Sequence, residues 1–273
     1  MDVVDFSFAI QLANTMNWNM TTEDFEFMVK LEPRGCFVLF HDQERFGIAT
    51  SVSFGKIGWF GTLLVKEDAR REGAGSLLIS HAIDYLKSKG VETIGLYAYS
   101  HLAKFYASLG FEIDIEFLVL RGKASFPATQ RMLRETKKED VPEIIDFDGQ
   151  CFGANRKKLL EPIFLNKENL FYISTENNEI TGYVAAKVYD KMAEVGPLVC
   201  HGNRVDDAVL LLKTILSKLN GFEVFIYMPK KEGALLSMLH EVGFREYFRV
   251  VRMFLGPAIA KKCIYSAESL ERG

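Results

Sequence analysis

The sequence runs through one order of predicted elements twice, and this duplication constrains the fold more than any other feature of the chain. Gly110-Phe111 and Gly243-Phe244 lie 133 positions apart. A gapless shift of that length lays the predicted helix at 75–89 over residues 208–222, and the predicted strand at 92–99 over residues 225–232. It also aligns "TLLV" (62–65) with "VGPL" (195–198). A repeat of this length indicates a duplicated domain, and 273 residues also favour two domains over one.

Within the first half, predicted strands alternate with predicted helices. Residues 35–54 predict a hairpin around a polar turn at 41–45, and residues 58–65 predict a strand. Between 75 and 89 one helix face is apolar, and Gly90 is a typical stop; this face consists of Leu77, Leu78, Ile79, Ala82, Ile83 and Leu86. A short helix at 101–109 and a strand at 111–120 follow. The pattern predicts an α/β fold with domains at 1–124 and 125–273, separated by turn residues at 121–130.

Composition excludes several classes of protein. The net charge is −3 and no basic stripe is present, so neither nucleic acid nor a membrane is an expected partner. The N-terminal stretch does not resemble a secretory signal, and no segment approaches eighteen consecutive apolar residues; we therefore expect a cytoplasmic protein. Four cysteines without a CxxC pair and five histidines without ligand spacing favour reduced thiols and no metal.

A glycine-containing loop opens the helix at 75–89 and predicts an anion site. A helix start leaves backbone N–H groups without intrahelical partners, and its dipole favours negative charge. Neither the Walker pattern nor the dinucleotide GxGxxG pattern fits, because no lysine follows the glycines and the third glycine is absent. The loop therefore predicts a pyrophosphate site of another kind, formed by Arg70, Arg71, Glu72, Gly73, Ala74, Gly75 and Ser76.

The spacing Arg70-x-x-Gly73-x-Gly75, followed by Tyr106-x-x-x-Gly110-Phe111, resembles the GNAT acetyltransferase superfamily. The stretches at 148–156, 194–198 ("EVGPL") and 264–273 ("IYSAESLERG") are similar to the divergent second domain of tandem-GNAT proteins. The resemblance covers nearly the whole chain. It implies two tandem GNAT (acyl-CoA N-acyltransferase) domains, each with a mixed, mostly antiparallel central sheet flanked by helices.

The resemblance also implies an activity and the residues that serve it. We expect an N-acetyltransferase that moves acetyl from acetyl-CoA to an amine of a small molecule or protein, by direct attack in a ternary complex. Besides the loop, the strand residues Leu63, Leu64 and Val65 would contact the cofactor along a bulged strand. A backbone N–H near Leu64 or Val65 would stabilise the oxyanion. Tyr106 would donate a proton to the leaving thiolate.

Two features leave alternatives open. The strand at 56–65 contains no Asp, Glu or His that could act as a base, while His41, Asp42, Glu67 and Asp68 are expected in solvent. A non-catalytic acyl-CoA-binding or sensor protein is therefore the alternative function. The identity of the amine acceptor is left open, and a monomer or homodimer is expected.

The second half departs from the motif at the shift of 133. Asn203, Asp206, Ala208 and Leu239 stand at the positions of Arg70, Gly73, Gly75 and Tyr106. We therefore expect one cofactor per chain. Asp148 and Arg156 would be exposed charges that face a cleft or only solvent. Trp18 and Trp59 either line an acceptor pocket or belong to the core.

Overall fold

The computed structural model describes residues 1–123, 126, 133–257, 259 and 263–273 and divides into two compact units. The first contains Met1–Leu96, Phe254–Pro257 and Arg272, and the second contains Tyr97–Met253, Ala258–Glu271 and Gly273. Each unit thus draws on both halves of the sequence. The predicted linker at 121–130, with the predicted domain boundary at 124 and 125, lies largely outside the described residues, so this boundary stays a prediction.

The first unit is a small sheet with helices on both faces. Its strands β1, β2 and β3 are antiparallel neighbours, and β3 pairs with β4 in parallel. Ile48 of β2 packs with Phe6 and Phe25 of the first two helices, whereas a Cβ on Gly47 would touch Leu78 of the third helix. Successive strand residues point to opposite faces, so both faces are covered. The elements are α1 (Phe6–Asn14), α2 (Thr22–Leu31), β1 (Cys36–His41), β2 (Glu44–Ser53), β3 (Ile57–Val65), α3 (Ala74–Ser88) and β4 (Thr93–Tyr99, which ends in the second unit).

The predicted hairpin and helix of the first unit are confirmed. Asp42 and Gln43 join β1 to β2 with φ values of 46° and 69°, as a two-residue hairpin turn requires. Helix α3 buries Leu78, Ile79, Ala82 and Leu86, as the apolar periodicity predicts. Leu77 differs from the prediction because its side chain is 58% exposed, at the edge of the apolar face.

Trp59 belongs to the core of the first unit. It is 1% exposed, and a Cβ added to Gly95 on β4 would lie 2.3 Å from its ring. The ring also meets Phe254 edge-on, with centroids 6.0 Å apart. Trp18 is half-buried against the cluster formed by α1 and α2. The core interpretation of Trp59 is thereby confirmed.

The second unit is a larger mixed sheet, in which neighbouring strands follow the order β11-β5-β10-β9-β8-β7-β6 and β12 adds to β9. The pairs of β10 with β5, β8 with β9 and β7 with β8 are antiparallel, and β9 with β10 is parallel. Together with the first unit, this confirms a mixed, mostly antiparallel α/β architecture. The elements are α4 (Ala103–Ser108), β5 (Glu112–Lys123), β6 (Arg134–Glu135), α5 (Val141–Phe152), α6 (Lys157–Leu165), β7 (Leu170–Glu176), β8 (Glu179–Tyr189), β9 (Met192–His201), α7 (Val205–Lys218), β10 (Glu223–Pro229), α8 (Gly233–Glu241), β11 (Arg245–Leu255, which ends in the first unit) and β12 (Cys263–Ser266).

Helices cover both faces of this second sheet as well. Val184 and Leu198 pack against Leu211 of α7, in a core that also includes α8. Their chain neighbours Tyr183 and Val199 pack with α5 on the opposite face. The alternation of the strand residues therefore determines which helix each side chain meets.

The expectation that the cysteines are all reduced is wrong for one pair. Cys151 of α5 and Cys263 of β12 form a disulfide, although 112 positions separate them in sequence. Such a separation carries no information about proximity, because only the packing of β12 and α5 on one sheet brings the two together. Cys36 and Cys200 are free and buried.

The gapless shift of 133 holds only for part of the repeat. Gly110 and Gly243 both follow a short helix with positive φ, 91° and 95°, so this part of the duplication is confirmed. Helix α7, however, begins 131 positions after α3, and β10 begins 130 positions after β4. The predicted correspondences around Asn203, Asp206 and Ala208 are therefore displaced by about two residues, because the connecting loops of the two halves differ in length.

Candidate functional site

Strand β3 is irregular where it approaches the predicted anion loop. Ile48 pairs with Leu64 and Thr50 with Gly61, so Thr62 and Leu63 together oppose a single residue of β2. Thr62 has a φ of 48°, which is costly for a β-branched residue. The hydroxyls of Thr50 and Thr62 are buried and have no hydrogen-bond partner among the described residues. Bulges and strained residues of this kind concentrate at functional sites.

The ladder between β2 and β3 distinguishes Leu64 from Val65. Lys66 N–H donates to Phe46 O at 2.8 Å. Phe46 and Lys66, which lie opposite each other, therefore form a hydrogen-bonded pair. Antiparallel pairs alternate between bonded and non-bonded, so Ile48–Leu64 is the next bonded pair. The Leu64 N–H is thus directed at β2. The N–H and C=O of Val65 are directed away from β2.

The anion loop, residues 70–76, is joined to the side of Val65 that faces away from β2. The Arg70 Nε–H donates to Val65 O at 3.1 Å and connects the loop to the end of β3. Arg71 has a φ of 71°, and Gly73 is the N-cap residue of α3 with a φ of 89°. The backbone therefore turns through the left-handed region twice. This conformation explains the glycine at 73, where a side chain would strain the backbone.

The start of α3 is open to a ligand. The first helical hydrogen bond described is Leu77 N–H to Gly73 O, at 2.9 Å. In an α-helix the N–H groups of the first turn, here residues 74–76, have no intrahelical acceptor. Arg70, Arg71 and Glu72 are exposed, and a Cβ built on Gly73 meets nothing within 4 Å. Unsatisfied amides, the helix dipole and two guanidinium groups fit a phosphate-bearing ligand.

Tyr106 lies on α4, in the second unit. It is 6% exposed, and its ring meets Phe105 and Phe111 edge-on, with centroids 5.1 and 6.0 Å away. Burial raises the pKa of Tyr106 to about 12. At neutral pH the phenol is therefore protonated, and its hydroxyl can donate a hydrogen bond.

The acidic groups and the histidine weighed as bases lie in solvent. The side chains of His41 and Asp42 are 77% and 93% exposed, and Glu67 and Asp68 are exposed as well. The first unit also buries a carboxylate that the sequence analysis missed, Glu32 at the end of α2. It accepts hydrogen bonds from Ser53 N–H at 3.0 Å and from the hydroxyl of Tyr85, which gives it a structural role. The sequence gives no signal of this burial, because Lys30 and Arg34 lie two positions away on either side of Glu32.

The expectation that Asp148 and Arg156 are exposed is wrong. Both side chains are 0% exposed and form a bidentate pair, with Arg156 Nε and Nη2 donating at 2.9 and 2.7 Å. Burial opposes the charge on Arg156, but the Asp148 carboxylate outweighs it and raises the pKa of Arg156. Charged residues eight positions apart on two helices give no sequence signal of burial, because only the pairing permits it.

The helix start of the second half differs from that of the first. The N-cap residue of α7 is Arg204, where α3 has Gly73. Arg204 forms ion pairs with Glu176 and, at 3.4 Å, with Asp207. Asp206 and Asp207 occupy the first turn of α7. Two carboxylates at this position disfavour a bound phosphate.

Two family models agree with this architecture. The acetyltransferase (GNAT) family matches residues 9–111, and a second acetyltransferase (GNAT) domain matches residues 144–266. The chain belongs to the GNAT superfamily of acyltransferases and carries two GNAT domains in tandem.

Individual relatives are distant in sequence. The holothin acyltransferase of a Pseudoalteromonas strain is 23% identical over 261 residues, covering 94% of this chain and 87% of the relative. A crystal structure of an acetyltransferase candidate from Pyrococcus horikoshii has a TM-score of 0.83 at 22% identity and covers 99% of this chain and 93% of its own. A tandem GNAT protein from the clavulanic acid biosynthesis pathway has a TM-score of 0.64 at 15% identity, covering 92% and 95%. These structures are similar in fold.

Within 1–123, 126, 133–257, 259 and 263–273, no helix is long and apolar enough to cross a membrane. The same residues contain no group of three or more His, Cys, Asp or Glu side chains placed to hold a metal ion.

Proposed function

We propose that the protein is an acetyl-CoA-dependent N-acetyltransferase whose donor binds to the first GNAT domain. The observation that carries this proposal is the loop at residues 70–76, where exposed arginines and unsatisfied helix amides meet at Gly73. These groups suit the pyrophosphate of coenzyme A. When bound, acetyl-CoA supplies an acyl group activated as a thioester. The domain would hold this donor at one end by its phosphates and at the other along β3.

The strand β3 would orient the donor through its free backbone groups. Of the two candidates for oxyanion stabilisation, we favour the N–H of Val65, because Leu64 N–H is directed at β2. The bulge at Thr62 and Leu63 leaves Val65 at the outer end of the strand, next to Arg70. Leu63, which is half-buried, would line the same path.

Tyr106 would serve as the proton donor to the leaving thiolate. The motif Tyr106-x-x-x-Gly110-Phe111 supports this role by resemblance. The pKa of Tyr106, about 12, keeps the phenol protonated at neutral pH, so that its hydroxyl can donate a hydrogen bond to the sulfur. A free thiol has a pKa of about 8.5, so the phenol is the weaker acid and would first donate a hydrogen bond to the leaving sulfur. Full transfer of its proton would require that the phenolate take up the proton that the attacking amine loses.

The acceptor is proposed as an amine of a small molecule or a protein. The name of the Pseudoalteromonas relative states that it acylates holothin, which makes a small-molecule acceptor worth testing first. One observation favours a second candidate function, an acyl-CoA-binding sensor without turnover. The four groups weighed as bases, among them His41 and Glu67, are exposed rather than held beside β3.

A pair of matched glycine variants tests the donor site. Gly73→Glu should abolish binding of coenzyme A in titration calorimetry, because it places a carboxylate among the phosphate-binding amides. Gly90→Glu is the control, since Gly90 is also exposed, has a φ of 82°, and its Cβ also meets nothing within 4 Å. Both variants carry the same backbone strain. Wild-type protein that binds no coenzyme A, or equal loss in both variants, would refute the proposal.

Turnover then separates the two candidate functions. Release of free coenzyme A thiol from acetyl-CoA, dependent on an added amine, supports the enzyme. Tight binding of coenzyme A without thiol release across a broad panel of amines supports the sensor and overturns the enzymatic proposal.

A further inference from the structure

In the second unit, strands β9 and β10 separate halfway along their length. Their parallel pairs run from Met192–Glu223 to Val195–Ile226. Beyond this point β9 continues to His201 and β10 to Pro229. A wedge therefore opens between the two strands, bounded by Leu198 on one side and Tyr227 on the other.

Within the segment of residues 263–273, positions 263–267 fill this wedge. Strand β12 pairs antiparallel with the edge of β9 that β10 has left, from Ser266–Leu198 to Cys263–His201. The Leu198 N–H donates to Ser266 Oγ at 2.9 Å. On the other side, Ala267 N–H donates to Tyr227 O at 3.2 Å. The segment thus hydrogen-bonds to both walls of the wedge.

The fit between the segment and β9 leaves no room for a second chain or ligand. A Cβ built on Gly196 would lie 2.0 Å from Ala267 O. Ala267 and Glu268 are 0% exposed and Ser269 is 1% exposed, so this part of the segment is interior. A side chain at 196 and a ligand beside β9 would both collide with the same carbonyl.

Buried charges and a disulfide hold the segment at both ends. Lys187 Nζ donates to Glu268 Oε1 at 2.6 Å and lies 2.9 Å from Glu194 Oε2. Arg156 Nη1 donates to Gly273 O at 2.6 Å. The disulfide from Cys151 to Cys263 attaches the start of the segment to α5. An ion pair, a hydrogen bond to a backbone carbonyl and a disulfide therefore retain it, in addition to the strand pairing with β9.

In the first unit, β3 and β4 separate in the same way as β9 and β10. Among the described residues, however, no segment pairs with β3 in the gap. The β3–β4 pairs end at Trp59–Gly95, while β3 runs on to Val65. Both strands carry a bulge against their outer neighbour, β3 between Gly61 and Leu64 and β9 between Val195 and Leu198. Within the described residues, no strand pairs with the inner edge of β3 beyond Trp59.

We infer that residues 263–269 are an internal occupant of the second GNAT domain, bound where the first domain would take the acyl arm of its donor. The comparison with the donor rests on the proposed function, whereas the occupancy itself does not. The segment and the carboxylates at the start of α7 would together exclude acyl-CoA from the second domain. A chain with two GNAT domains would then bind one donor.

Hydrogen exchange read by mass spectrometry tests the occupancy on the full, oxidised chain. Amides of residues 265–269 should exchange at least about 100-fold more slowly than in an unstructured peptide. Gly196→Ala should remove most of this protection, because its Cβ meets Ala267 O. The control Gly233→Ala should keep it, since a Cβ there meets nothing within 4 Å. Exchange of the wild-type segment at the unstructured rate, or unchanged protection in Gly196→Ala, would overturn the inference.

A second variant covers the case in which Gly196→Ala does not fold. Glu268→Gln removes the charge that faces Lys187 and leaves the backbone contacts, so it should speed exchange at 265–269 about ten-fold while β7 and β8 keep their protection. Unchanged exchange would overturn the role of the ion pair. Calorimetry with coenzyme A supplies the stoichiometry: one per chain supports the inference and two overturn it. If no coenzyme A binds, the proposed function is refuted. The hydrogen-exchange result then decides by itself whether the segment occupies the wedge.

Discussion

Removing the guanidinium of Arg156 should be among the most destabilising single changes in the second unit. Arg156 donates four hydrogen bonds, two to Asp148, one to Gly273 O and one to the Tyr265 hydroxyl at 3.1 Å. Its guanidinium carbon also lies 4.1 Å from the centroid of the Phe152 ring. Arg156→Met keeps an apolar side chain of similar length beside that ring. The variant therefore isolates the charge and its hydrogen bonds.

The magnitude follows from what the change leaves behind. Asp148, which is 0% exposed, would keep only the Tyr183 hydroxyl among its described partners, and Gly273 O would keep only the Glu268 N–H, at 3.3 Å. Leaving one charge of a buried pair without its partner costs about 3–5 kcal/mol. We expect a loss of about 4 kcal/mol in the free energy of unfolding for Arg156→Met. Replacing both partners should cost less than the sum of the single changes, by about 2 kcal/mol.

Urea denaturation followed by circular dichroism measures these losses for Arg156→Met, Asp148→Asn and the double variant. Arg249→Met is a useful control, because the Arg249–Glu246 pair lies largely in solvent, with side chains that are 46% and 34% exposed. It should cost about 1 kcal/mol or less. A loss below about 1 kcal/mol for Arg156→Met, or strict additivity in the double variant, would refute the reasoning from burial.

Three further predictions concern thiols and the phenol. Burial raises the pKa of Cys36 and Cys200 to about 12. Only the unfolded chain then ionises as the pH rises above 9, so stability should fall by about 1 kcal/mol per thiol between pH 9 and 10. Cys36→Ala should reduce this slope in urea titrations, and an unchanged slope contradicts the prediction. Cys263→Ala breaks the bond to Cys151 and should lower the unfolding free energy by about 2–5 kcal/mol; four reactive thiols in unreduced, denatured wild type would contradict the disulfide. Tyr106→Phe should slow turnover about 100-fold or more while the Kd for coenzyme A stays within about two-fold, and a change confined to Kd would contradict proton donation.

Local signals in the sequence were sufficient where short-range geometry decides the structure. Three features require positive φ angles that the local sequence indicates. They are the turn at Asp42 and Gln43, the start of α3 after Gly73, and the glycines at 110 and 243. The candidate donor loop could be predicted for the same reason. Its chemistry depends on consecutive residues at one helix start.

Features that depend on distant parts of the chain could not be predicted. Asp148 and Arg156 are charged, so their types suggest exposure, and only their mutual pairing inside the second unit reverses this. The disulfide joins residues 112 positions apart. The ladder that separates Leu64 from Val65 depends on the register with β2, which a bulge shifts by one residue. In each case the deciding contact comes from another element.

The division of the chain also limits how it can be dissected. The first unit includes Phe254–Pro257, where Thr93 Oγ1 donates to Pro257 O at 2.7 Å and Phe254 meets Trp59. Strand β5, encoded before residue 124, pairs with β10 inside the second unit. A single cut therefore removes part of one compact unit and leaves an unpaired strand on the other fragment. Gene fission, domain shuffling or expression of one half would each break hydrogen-bonded pairs inside a compact unit.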